Sequence, residues 1–140
     1  MKSRIAALAV LAAFALSPAY ADTMKYKAML NGATEVPAND TKGTGSIEAD
    51  YDTATKKLSW SGEYAGLTGP AIAAHFHGPA APGVNAGVLV PVDAKETPFK
   101  GSAMLSDEQA KDFADGKVYF NIHTTANKGG EIRGQLAPAM

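Results

Sequence analysis

From residue 22 onward, apolar residues recur at every second position in short runs, and clusters of Gly, Pro, Asn and Asp separate the runs. A period of two broken by turn residues is the pattern of half-buried strands joined by hairpins. It predicts strands near Met24–Asn31, Gly45–Tyr51, Lys57–Tyr64, Ala71–His77, Val88–Val92, Phe99–Leu105, Lys117–Thr124 and Glu131–Leu136. One helix interrupts them. Ser106-Asp107-Glu108-Gln109 has the capping-box spacing, acidic residues fill the first turn, and Gly116 offers a left-handed stop, so about ten residues of connecting helix are expected. The fold class expected is all-β: a two-sheet antiparallel β-sandwich with one short connecting helix, in which each sheet buries one face and leaves the other wet.

Three segments read as loops: 32–42, 78–87 and 126–130. The 78–87 segment, GPAAPGVNAG, has two prolines and three glycines, which specify a fixed excursion better than a floppy linker. It follows directly on a His-x-His pair.

All three histidines of the chain fall in predicted strands. Alternation along Ala71–His77 places Ile72, Ala74 and Phe76 on the core face, with Ala73, His75 and His77 on the other. Along Lys117–His123 it sends Val118, Phe120 and Ile122 to the core and Tyr119, Asn121 and His123 to the opposite face. If the two strands are neighbours, three imidazoles converge. Two histidines from one side of a strand and a third from its neighbour can hold a divalent ion and leave a position open, as reactive and transport sites do. Imidazole suits Cu(II) and Zn(II), and copper is the expected ion, with zinc the alternative. Asn121, Tyr119 and Glu131, with Arg133 beside them, are the polar residues placed to hold the rings from behind. The competing reading is that His75 and His77 only hydrogen-bond the following loop and fix Gly78-Pro79.

The N-terminus changes where such a site would operate. Lys2 and Arg4 precede an apolar stretch from Ile5 to Leu16, and Ala19-Tyr20-Ala21 supplies a small-x-small cleavage site before Asp22. These are the parts of a secretory signal, so residues 1–21 are expected to be a cleaved leader and 22–140 one domain with no membrane span in the mature form. Its destination would be the periplasm or the exterior. Cleavage leaves 11 basic against 14 acidic residues, with the lysines scattered among acids, which argues against nucleic acid as a partner. The chain has no cysteine, which excludes thiolate ligands, thiol nucleophiles and disulfides.

Several segments together resemble the CHRD domain, a family named for its occurrence in chordin and common in exported bacterial proteins. They are Leu30–Pro37 (LNGATEVP), Gly66–Gly69 (GLTG), Ala74–Asn85 (AHFHGPAAPGVN), Val118–Thr124 (VYFNIHT) and Gly130–Leu136 (GEIRGQL). The resemblance spans nearly all of the expected mature chain, and its pattern includes His75, His77, Asn121, His123, Glu131 and Arg133. In animals the domain belongs to an extracellular antagonist of growth factors, which implies a binding module; the stand-alone bacterial form carries no general activity to transfer. Lys128 stands where the family often has proline, a departure expected to loosen that turn. A looser likeness connects the His-x-His strand to copper/zinc superoxide dismutases, but those enzymes use more imidazoles than this chain has and a bridged second metal.

Other chemistries find no support. No Gly-x-Ser-x-Gly elbow and no phosphate loop occurs, and the carboxylates Glu35, Glu48, Asp50 and Glu131 are scattered along the chain. Arg133 is expected to pair with Glu35 or another acid near the loops. Two functions follow from the residues. One is an exported protein holding one copper ion through His75, His77 and His123, for storage, delivery or dismutase-like redox chemistry. The other is a metal-free adhesion or interaction module using loops 33–42 and 78–87, with another envelope protein as partner.

Overall fold

The computed structural model describes residues 22–139 together with Val10 and Ala12; the rest of the leader expected at residues 1–21 lies outside the described residues. Among the described residues nine strands and one helix follow in the order β1 (Thr23–Asn31), β2 (Thr44–Asp52), β3 (Lys57–Ala65), β4 (Ala71–His77), β5 (Val88–Val92), β6 (Phe99–Met104), α1 (Asp107–Ala114), β7 (Tyr119–Thr124), β8 (Ile132–Gln135) and β9 (Ala137–Pro138). The eight strands read from the sequence agree with these bounds to within two residues. Only the two-residue β9, which pairs with Tyr26 and Lys27 of β1, has no counterpart among the predicted strands.

The all-β class with one short helix holds, but the strands do not clearly divide into the two sheets of a sandwich. They form one antiparallel sheet in the order β5-β4-β7-β8-β1-β2-β3-β6, with β9 on β1, curled until it is nearly closed as a barrel. Only β5 and β6, the two ends of that path, are not joined by a ladder. One-sided alternation is satisfied equally by two facing sheets and by one sheet closed on itself, so the pattern along the chain does not separate them.

Burial follows the alternation through the first three strands. Tyr26, Ala28 and Leu30 of β1, Ile47, Ala49 and Tyr51 of β2 and Leu58 and Trp60 of β3 line the interior. Their neighbours Lys25, Lys27, Glu48, Asp50, Ser59 and Ser61 point to water. Phe76, Phe120, Val118 and Ile122 complete the core from the other side. Trp60 meets Phe76 edge-on with ring centroids 5.5 Å apart, an arrangement favoured by the ring quadrupoles.

Helix α1 starts on the expected capping box: the Gln109 amide donates to Ser106 Oγ at 3.1 Å, and the Ser106 amide donates to Gln109 Oε1 at 3.0 Å. Gly116 follows the helix at φ 71°, the left-handed conformation that glycine adopts without a Cβ clash. The helix is more than a connector. Phe113 is buried, 5.5 Å from both Tyr26 and Phe76, and closes one part of the aromatic core.

One residue expected inside is outside. Ile72 is 46% exposed, because the β4–β7 register shifts between Ala71 and Ala73 and a bulge there turns the side chain outward. A second departure matters more for the site. The outer face of β7 was expected to be wet, yet all six residues of the strand are buried. The segments 32–42, 78–87 and 126–130 fold over that face and roof it.

Candidate metal centre

Strands β4 and β7 are neighbours, with His75 opposite Asn121, His77 opposite Tyr119 and Ala73 opposite His123. Side chains on one face of paired strands stand side by side, so the imidazoles gather as the alternation requires. His75, His77 and His123 each offer one ligand nitrogen, and these atoms lie within 4.8 Å of one another.

Two rings are oriented by backbone carbonyls. His77 Nδ1 lies 3.0 Å from the Ala86 carbonyl and His123 Nδ1 lies 2.8 Å from the Lys128 carbonyl. A carbonyl only accepts, so each Nδ1 carries the hydrogen and each Nε2 is the nitrogen left for other work. For His123 that nitrogen faces His75 Nδ1 at 3.2 Å. Metal–nitrogen bonds of about 2.0–2.1 Å would span such a gap at an angle of roughly 100°, close to tetrahedral. For His77, Nε2 faces Asn121 Oδ1 at 2.9 Å.

The roof supplies both carbonyls. Loop 78–87 is pinned by Asn85, whose Nδ2 donates to the Val36 carbonyl at 3.1 Å, and by the Ala86 amide donating to the Tyr119 hydroxyl at 3.1 Å. This is the fixed excursion that its prolines and glycines specify. The 126–130 turn is tied as well, through Asn127 N to the Thr124 carbonyl at 3.2 Å and Gly130 N to the Asn127 carbonyl at 3.0 Å.

Tyr119 lies flat against His77, with centroids 4.7 Å apart and planes 8° from parallel. The Arg133 guanidinium stands 3.5 Å from the centre of the same Tyr119 ring, a cation–π contact. Arg133 is only 2% exposed, and it does not pair with Glu35. It donates to Asn85 Oδ1 at 2.8 Å and to the Val84 carbonyl at 2.6 Å, holding the 78–87 loop on the sheet.

Glu131, expected behind the rings, serves a different cluster. Its fully buried carboxylate accepts from the Thr68 amide and hydroxyl, Thr41 Oγ1 at 2.9 Å, Thr124 Oγ1 at 2.8 Å and Asn127 Nδ2 at 3.1 Å. Burial alone would raise its pKa, but the bonds from Thr68, Thr124 and Thr41 outweigh burial and hold it down at about 2. The carboxylate therefore ties three loops together and, through Thr124 and Asn127, steadies the turn that offers the Lys128 carbonyl to His123.

Glu35 is the contrasting acid. It is 4% exposed, its Oε1 has no hydrogen-bond partner among the described residues, and its Oε2 receives Asn121 Nδ2 at 3.4 Å. Burial pushes its pKa up to about 7, against the opposing pull of the Arg133 charge, the Asn121 amide and the Val36 amide. The sequence offers Glu35 as a scattered carboxylate and a candidate partner of Arg133; its place beside Asn121 comes from the 32–42 loop crossing over β7.

Burial, and then the charges of His123 and His77, push the His75 pKa below its ordinary value. Burial does the same to His77, against its hydrogen bonds with the Ala86 carbonyl and the Asn121 side chain. His75 is the imidazole nearest open space: a surface groove of about 350 Å³ beside it is lined by Ile72, Pro91, Asp93 and Lys95 among others.

A nearly closed antiparallel barrel with three imidazoles roofed at one side defines an all-β protein with a candidate single-metal centre. The chain matches the family model of the CHRD domain over residues 26–136 and belongs to that family. No curated protein and no solved structure matches it. No helix among the described residues is long and apolar enough to cross a membrane.

Proposed function

We propose that this CHRD domain is an exported metal-binding protein. It holds one copper ion, or less favourably zinc, through His75, His77 and His123, in the periplasm or outside the cell, for storage, delivery or superoxide dismutase-like redox chemistry. The observation that carries the reading is the gathering of three imidazole nitrogens within 4.8 Å, with the tautomers of His77 and His123 set by backbone carbonyls. An all-nitrogen donor set without thiolate suits Cu(II) and Zn(II), and the order of divalent affinities places copper first. Three imidazoles leave a position for water or a small ligand, and the groove beside His75 gives a route to it. The export signal read at residues 1–21 supports the location.

Copper(II) EPR of the purified protein tests the ligand set. Nitrogen hyperfine structure that changes in each of His75→Ala, His77→Ala and His123→Ala supports it, and a spectrum identical in all three sinks it. Neutral imidazole is the ligand, and burial keeps His75 and His77 neutral to lower pH than ordinary histidine. Copper retention should therefore hold to somewhat below the ordinary histidine pKa of about 6.5 and be lost by about pH 4. Full retention at pH 4 in an equilibrium dialysis series would count against a histidine site.

A second reading has its own observation. Val84 and Val88 are about half exposed in and beside the pinned 78–87 loop, a rigid apolar presentation suited to a protein partner without any metal. Metal-independent partner binding that maps to residues 78–87 would favour it.

A further inference from the structure

Resting on the metal reading above, we infer that Asn121 gates the centre: its carboxamide occupies His77 Nε2, so an entering ion docks on His75 and His123 and gains the third imidazole only by displacing the amide.

His77 has a single nitrogen to offer, because Nδ1 is committed to the Ala86 carbonyl at 3.0 Å. The other, Nε2, is 2.9 Å from the Asn121 carboxamide. With the amide oxygen facing the ring, Nε2 must carry a proton; with the amide NH2 facing it, the Nε2 lone pair is already accepting a hydrogen bond. Neither arrangement leaves a lone pair for a metal. His75 and His123 are different. Their facing nitrogens, 3.2 Å apart, have only each other to release, and one tautomer change at His75 frees both lone pairs.

The amide is held weakly from behind. Asn121 Nδ2 is 3.4 Å from Glu35 Oε2 and 3.5 Å from the Gly129 carbonyl, both at the long limit of a hydrogen bond. Glycine at position 130 keeps its surroundings clear, since a Cβ there would stand 2.5 Å from Asn121 Nδ2 and 2.1 Å from Glu35 Oε2. A receiving group is also in place. Glu35 Oε1 is buried with no partner among the described residues, a costly condition for an acceptor in a folded protein. It is relieved if the displaced amide, whose NH2 already faces the carboxyl at 3.4 Å from Oε2, moves further onto it and bonds Oε1. The gate thus has two positions, one with Oδ1 against the ring and one drawn back onto the carboxyl.

The test is rapid mixing of the purified protein with Cu(II), with nitrogen hyperfine counted by freeze-quench EPR. The wild type should bind in two phases: a fast concentration-dependent step with two coordinated nitrogens, then a first-order step that adds the third. Asn121→Ala should reach three nitrogens in one phase and bind about five- to tenfold tighter, the equivalent of one hydrogen bond no longer broken. Glu35→Met removes the receiving oxygens and should slow the second phase at least severalfold, which reads the gate even if Asn121→Ala does not fold. Single-phase, three-nitrogen binding by the wild type, or an unchanged second phase in a folded variant, would overturn the gate and leave the metal site standing. No copper bound by any of the proteins would overturn the metal reading itself.

Discussion

The outward face of the β1-β2-β3 meander and the outward face of β4-β7-β8 occupy equivalent positions in the same sheet, yet they live in different media. On the first, Lys25, Lys27, Glu48, Asp50, Ser59 and Ser61 meet water, and the Lys25–Asp50 pair at 3.2 Å is an ordinary exposed ion pair. On the second, His77, Asn121, His123 and Arg133 lie beneath loops. Polar residues on the wet face satisfy themselves with solvent at little cost. Those under the roof must find partners inside the protein or remain unsatisfied at a cost of about 1–3 kcal/mol each. Nearly all of them have found partners; the exception among the described residues, Glu35 Oε1, belongs to the carboxyl behind Asn121, whose amide meets His77. A roofed polar face stabilises the fold less than an apolar one would, so its presence points to chemistry.

Substitutions can break this contrast, and the largest effect is expected where the roof is tightest. Gly130 has φ 129°, and any side chain there meets Glu35 and Asn121. Gly130→Ala should cost about 3 kcal/mol or more in denaturant unfolding. The same change at a wet position, such as Ser61→Ala, should stay within about 0.5 kcal/mol.

Glu131 comes next. Its pKa is held at about 2 in the folded protein, so its stabilising effect is present above the unfolded carboxylate range and is lost as pH falls from about 4.5 toward 2. Glu131→Gln should destabilise by about 2–3 kcal/mol at pH 7, and the deficit should shrink on acidification through that window. A pH-independent deficit would show that the charge is not what ties the loops.

Glu35 carries the opposite sign. Its folded pKa is raised to about 7, so the stability it allows is present below about pH 4.5 and is lost as pH rises through 7. Glu35→Gln should therefore stabilise the protein at pH 8 by up to about 3 kcal/mol, with little change at pH 4. Melting temperatures of the two proteins across pH 4–8 would check this, and parallel curves would contradict it.

The smallest effect belongs to the wet side. Lys25→Ala should change stability by less than about 1 kcal/mol, and added salt should erase the difference.

Much of the architecture was legible because strand periodicity is a local property. The bounds of the eight predicted strands, the capping box at Ser106 and the common face of His75, His77 and His123 all follow from alternation and turn chemistry. Closure of the sheet was not legible, since it depends on which edges meet. The exposure of Ile72 depends on a bulge that no residue type announces. Tyr119 and Asn121 read as wet because alternation names a face and cannot say whether loops cover it. The Ala86 and Lys128 carbonyls that orient two of the imidazoles are backbone atoms and leave no mark in side-chain pattern. Glu131 stands out in the sequence, but its role as anchor of Thr41, Thr68, Thr124 and Asn127 depends on the loops being in place.

The most direct measurement of the central claim is metal content by mass spectrometry after incubation with equimolar copper and zinc and desalting. The wild type and the His75→Ala/His77→Ala/His123→Ala variant should be compared side by side, each shown to be folded by circular dichroism. The account predicts one copper per wild-type chain and none in the variant; equal metal in both, or none in either, would contradict it.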